Sequence, residues 1–255
     1  MVVTTIETRV DDIITLLRQT YPTWSGFDDA AFMVDEITYK QELVAKAQEL
    51  ISEAELRRLC AAHDYAEVLR RLDILGTQTN LIYRSNGKEQ GDLRLIYRVG
   101  EHEGQFCEAL LDLLYGPDLS PERLGRFLTA CQSIGLNANW ALPTFFLFIT
   151  HPDQDIFIKP GAAQRFMEFL GHPGLIQQKP SATSYAEYLR VLNELRSAMT
   201  AYQPRDMVDL QSIVWCCGGT LKQATLEPEN MAEKLVTTLR KWYSDLSAYH
   251  FRRKN

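Results

Sequence analysis

What the chain lacks narrows its chemistry first. It has no Gly-x-x-x-x-Gly-Lys-[Ser/Thr] segment. Its sole Gly-Lys pair, Gly87-Lys88, has neither the upstream glycine nor the following hydroxyl residue, so P-loop nucleotide hydrolysis is excluded. A Gly-x-Ser-x-Gly elbow, a His-Glu-x-x-His pair and a Gly-x-Gly-x-x-Gly fingerprint are missing as well. No Cys-x-x-Cys occurs among Cys60, Cys107, Cys131, Cys216 and Cys217, which removes the usual zinc and redox spacings. The histidines (His63, His102, His151, His172 and His250) are scattered, none at ligand spacing from another, and His151 and His172 precede proline in turns. No metal site, cofactor or catalytic set is expected.

Long apolar runs are scarce too. The longest, Trp140–Ile149, is about half of the ~20 residues a membrane span needs, so it reads as core and no membrane partner is expected. The first residues, "MVVTTIETRVDD", carry neither a basic n-region nor an apolar h-region. With an odd number of cysteines, this leads to an expectation of reduced, mostly buried thiols in the cytoplasm.

What is present is ordinary for a globular chain: 255 residues, 45% hydrophobic, 24% charged, 10% aromatic and a net charge of −6. Such a charge repels nucleic acid on average. It is unevenly placed: residues 1–60 hold six Lys/Arg against eleven Asp/Glu, residues 220–255 seven against four. The basic end closes in "HFRRKN", where Arg252, Arg253 and Lys254 either complement a helix dipole or contact phosphate.

Helical periodicity dominates, so the expected fold is mainly α, a multi-helix globular bundle. Ile6, Val10, Ile13, Ile14 and Leu17 form one stripe, and Ile37, Leu43, Val44, Ala47, Leu50 and Ile51 another. Ser52 with Glu55, Asp64 with Glu67, and Ser184 with Glu187 read as capping boxes. Ser120 is expected as an N-cap with Pro121 at the first helical position, and Pro204 is expected to open a helix that stops at Gly218-Gly219. Near 80–98, Leu81-Ile82-Tyr83 and Leu95-Ile96-Tyr97 suit either a β-hairpin across Asn86-Gly87 or a loop between helices, and 153–159 reads as extended. The chain divides into an N-terminal helical segment (1–75), a helical core (76–219) and a C-terminal amphipathic helix with its basic tail (220–255), expected to form one compact unit. In the last part Leu235, Leu239, Trp242, Leu246 and Tyr249 recur at alternating spacings of four and three, as on a helix that packs against the body or a partner.

Chemistry concentrates in "HPDQDIFIKP", residues 151–160. Asp155, Phe157 and Lys159 would share a strand face, but a nuclease core wants a carboxylate two residues before its lysine, and Phe157 stands there. Lys159 just before a helix start, with Arg165 one turn inside it, makes a candidate anion site for a nucleic-acid phosphate. The competing reading pairs Lys159 with an internal carboxylate such as Asp206 or Asp209. Those aspartates also suit the first turn of a helix.

Several segments, "TNLIY", "GDLRLIY", "LLYG…ERLGRF", "WALPTFFLFITHPDQDIFIKP", "FMEFLG" and "RDMVDLQSIVW", occur in an order that resembles a helical region upstream of AAA+ motors in McrB-like restriction systems and related prokaryotic defence proteins. The resemblance runs from about Asp64 to Cys217 and includes no motor. It implies a non-enzymatic accessory or recognition subunit working with nucleic acid beside a separate AAA+ ATPase or nuclease subunit. The alternative is a protein-interaction adaptor or self-associating scaffold, with Leu239, Trp242, Leu246 and Tyr249 as its partner-binding face.

Overall fold

The apolar stripes become helices in the computed structural model, which describes residues 6–83 and 90–224. In chain order these are α1 (Val10–Thr20), α2 (Ala30–Phe32), α3 (Thr38–Ile51), α4 (Glu53–Ala61), α5 (Tyr65–Thr77), α6 (Glu103–Tyr115), α7 (Ser120–Ser133), α8 (Ala141–Thr150), α9 (Pro160–Phe169), α10 (Ala182–Ala198) and α11 (Met207–Ala224). The protein is mainly α, and no strand forms among the described residues. Buried apolar side chains from Ile6 to Cys217 make one contiguous core.

At its heart is α8. Every residue from Ala141 to Thr150 is buried, and the helix packs on α3 and α6. Each large apolar side chain there contributes about 1.5–3 kcal/mol through burial. Pro143 is tolerated because it sits in the first turn, where a backbone N–H would have no helical partner. The Trp140 indole donates to Gln177 O at 2.7 Å and fixes the entry to this helix.

The extended stretch after α8 is not a strand, because side chains satisfy its backbone. Ile156 N donates to the Tyr185 hydroxyl at 3.2 Å and Ile158 N to Thr144 Oγ1 at 3.0 Å. Ile156, Phe157 and Ile158 can therefore all be buried without a sheet. In the described parts of 80–98 no strand forms: 92–98 is a run of turns, and Leu81, Ile82, Leu93, Leu95 and Ile96 drop into the core, while Asn86 and Gly87, where the hairpin was expected to turn, lie outside the described residues.

Several helix ends differ from expectation. Asp64 does cap α5, accepting from Glu67 N at 3.4 Å. Ser52 precedes α4 without a capping side-chain bond. In α10 the cap is Ser181, whose Oγ accepts from Ser184 N at 3.1 Å, so Ser184 is already helical. Ser120 is the first residue of α7 and Leu119 the cap, since the Ser120 hydroxyl turns inward to Asp155. α11 begins at Met207 because the Asp206 carboxylate accepts from Val208 N at 2.8 Å and Asp209 N at 3.2 Å. It does not stop at the glycine pair but runs to Ala224. Gly218 lies instead where α9 and α11 cross: a Cβ there would stand 2.7 Å from Ala162 O. The glycine allows the backbones to meet.

Candidate functional site

A π-helical turn, Met33–Ile37, joins α2 to α3 and carries the most unusual polar group of the molecule. Such a turn inserts one extra residue and rotates the side chains that follow, and it recurs at functional positions. Thr38 Oγ1 supports it by donating to Met33 O at 2.9 Å. Lys40, three residues past Ile37 and three before Leu43, thus falls on the buried stripe, where it is 0% exposed. Its Nζ donates to Glu36 Oε2 at 2.9 Å and to Ser212 Oγ on α11 at 2.7 Å. Burial lowers the Lys40 pKa, and the neighbouring Glu36 charge opposes that shift. A charge on an apolar stripe with a carboxylate four residues earlier was the signal for this pair in the sequence.

Glu36 also borders open space. It lines two adjacent cavities, of about 480 and 420 Å³, that share Trp215 as their other common wall. Trp215 projects from α11 with 44% of its surface exposed, unusual for so large an apolar residue. The larger cavity is completed by Thr20, Tyr21, Arg165, Cys216 and Thr220, the smaller by Val34, Asp35, Tyr39 and Phe157. Burial pushes the Tyr21 and Tyr39 hydroxyls and the Cys216 thiol well above their usual ranges, so all three stay protonated at neutral pH. The groove therefore holds hydroxyl groups, the carboxylates of Glu36 and Asp35, an indole face and the cations Arg165 and Lys222, but no thiolate nucleophile.

Of the two cations, Arg165 is the one carried by α9. Its Nε donates to Gly218 O at 2.7 Å, a bond made possible by the close α9–α11 crossing. It makes no ion pair among the described residues; burial lowers its pKa, and the charge of Glu168 opposes that shift. Its side chain lines the larger cavity.

Lys159 is separate from this groove. Its Nζ donates to Asp92 Oδ2 at 2.6 Å, so its carboxylate partner is neither Asp206 nor Asp209. Asp206 caps α11, and Asp209 forms a bidentate pair with Arg205 at 2.9 and 2.8 Å. Asp155 does not share a face with Lys159 either. It is 0% exposed, accepts from the Tyr185 hydroxyl at 3.0 Å and lies 4.0 Å from Arg123. Burial raises its pKa, against the opposing hydrogen bonds of Ser120 and Tyr185 and the charges of His151 and Arg123. His151 donates from Nε2 to Leu114 O at 2.6 Å, the role of a turn histidine. Among the described residues no three His, Cys, Asp or Glu side chains gather as metal ligands. No helix among them is long and apolar enough to cross a membrane.

Of the expected contact residues, Arg165 alone reaches the groove among those described. Arg252, Arg253 and Lys254, with Leu239, Trp242, Leu246 and Tyr249, lie outside the described residues. Glu36, Lys40, Tyr21 and Trp215 were not singled out from the sequence. No protein-family model, curated protein or solved structure matches this chain.

Proposed function

We propose that this chain is a recognition subunit that binds single-stranded nucleic acid at the Trp215 groove, within a prokaryotic defence system whose motor or nuclease is a separate subunit. The observation that carries the reading is a half-exposed indole lining one cavity with an arginine that makes no ion pair among the described residues. Aromatic faces stack bases of any sequence, and guanidinium groups bind phosphate. The resemblance of 64–217 to regions that accompany AAA+ restriction motors supplies the biological setting. Arg252, Arg253 and Lys254 are proposed as further phosphate contacts, and Lys159 is withdrawn from that role because Asp92 holds it.

The overall charge of −6 limits non-specific attraction, so binding is expected to be modest and strongly salt-dependent. Fluorescence anisotropy with a labelled single-stranded oligonucleotide at about 50 and about 200 mM salt tests this. Binding that falls steeply across that range supports the reading; no binding at the lower salt overturns it. A protein-interaction adaptor is the second reading, favoured by Val34, 72% exposed on the rim beside Trp215.

A further inference from the structure

The arrangement of polar groups around Trp215 is more specific than a general stacking platform. Glu36 is fixed from behind: Lys40 and Ser212 hold its carboxylate in place through the buried lysine ammonium. Only Oε2 takes the Lys40 bond, and Oε1 has no hydrogen-bond partner in the chain among the described residues. An acceptor, an indole and a cation that line one cavity match three separate features of one ligand. These are a flat ring, an edge of N–H donors and an anionic tail.

We propose that the groove is a nucleotide subsite selective for guanine, with the base against Trp215, its N–H edge toward Glu36 and its phosphate toward Arg165. Guanine offers a ring N–H beside an amino group, two adjacent donors that suit a carboxylate. Adenine presents a ring acceptor at the corresponding position, which sets two lone pairs against each other. Lys40 keeps the cost of the Glu36 charge low when a ligand displaces water, because the carboxylate is already paired on its buried side. Thr20, which lines the same cavity as Arg165, adds a hydroxyl donor for a phosphate oxygen, whereas Thr220 Oγ1 already donates to Cys216 O at 3.1 Å. A cavity of about 480 Å³ lies in the size range of small-ligand sites.

This inference rests on the nucleic-acid reading but can fail separately from it. The full chain is titrated with guanosine 5′-monophosphate, adenosine 5′-monophosphate and unphosphorylated guanosine, following tryptophan fluorescence and heat. Of the four tryptophans, Trp24 and Trp140 are fully buried and Trp242 lies outside the described residues, so the quench is read in the wild type and in Trp242→Phe, and one that disappears only in Trp215→Phe reports the groove. The guanine nucleotide is expected to bind saturably, with adenosine monophosphate and guanosine each weaker by about tenfold or more. Trp215→Ala and Glu36→Gln are expected to lose about tenfold each for the guanine nucleotide, with circular dichroism confirming that both variants fold. Equal affinity for the adenine nucleotide, no binding at millimolar ligand, or affinity unchanged in Trp215→Ala overturns the subsite. An oligonucleotide that binds equally well to Trp215→Ala removes the subsite and moves nucleic-acid recognition away from the Trp215 groove, to another surface of the chain. The converse, mononucleotide binding without oligonucleotide binding, removes the recognition reading alone.

Discussion

Lys159 and Asp92 close a contact across 67 positions of chain, Nζ to Oδ2 at 2.6 Å, and the same carboxylate oxygen accepts Tyr83 N at 2.8 Å. Asp92 N in turn donates to Tyr83 O at 3.0 Å. A lysine at the start of α9 thus organises the turn region that precedes α6. Both side chains are largely shielded, at 26% and 16% exposure, so the pair is worth more than a surface ion pair.

Lys159→Met is therefore expected to lower stability by about 1–2 kcal/mol and to speed amide exchange at Tyr83 and Asp92. Urea unfolding and hydrogen exchange read both effects. Nucleic-acid affinity is expected to stay at the wild-type level. A large loss of binding with unchanged exchange would return Lys159 to the phosphate role.

Gly218→Ala places a methyl group 2.7 Å from Ala162 O and 2.9 Å from its Cα, both backbone atoms that cannot turn aside. The expected cost is about 1–3 kcal/mol through separation of α9 from α11. Gly219→Ala, with open space around its Cβ, is the control and is expected to be neutral or slightly stabilising. Matching urea midpoints for the two variants would contradict the assigned crossing.

Removing Lys40 alone leaves Glu36 nearly buried without its counter-charge. Lys40→Met is expected to destabilise by about 3 kcal/mol, and adding Glu36→Gln to recover most of that loss. The coupling appears in a double-mutant cycle by urea unfolding. Additive single effects would show that the pair does not act as a unit.

Acid should weaken the α4–α5 junction. Glu55 is held down to about 2 by hydrogen bonds from Arg58 and Arg71, and Glu67 to about 2 by those from Arg70 and Arg71. Because folding depresses these pKa values, their contribution is complete above the unfolded value of 4.5 and is lost as pH falls toward about 2. Arg71 bridges both carboxylates, at 2.9 Å to Glu55 and 2.8 Å to Glu67. Melting temperature is expected to fall through that acid window, with a shallower fall in Arg71→Ala. An identical slope in the variant would assign the acid sensitivity elsewhere.

Much of the fold was legible because burial imposes helical periodicity on the sequence. The stripes through Ile13, Ile14 and Leu17 and through Leu43, Ala47 and Ile51 are buried as read. The candidate site was legible only at Arg165. Glu36 and Lys40 were not singled out: their spacing on the apolar stripe was visible, but no pattern at this length announces the π turn that carries Glu36. Trp215 sits in "QSIVWCCGG", an apolar run in which nothing separates the one outward residue from its buried neighbours.

Local sequence by itself determined the helices, the Asp64 cap and the break at His151-Pro152, because each depends on residues within one or two turns. Tertiary structure alone decided which carboxylate meets Lys159, that Gly218 marks a crossing rather than a helix end, and that Lys40 is buried against Glu36 and Ser212. Those outcomes join residues 67, 56 and 172 positions apart. Such partners are set by how the helices pack, so no local spacing could specify them.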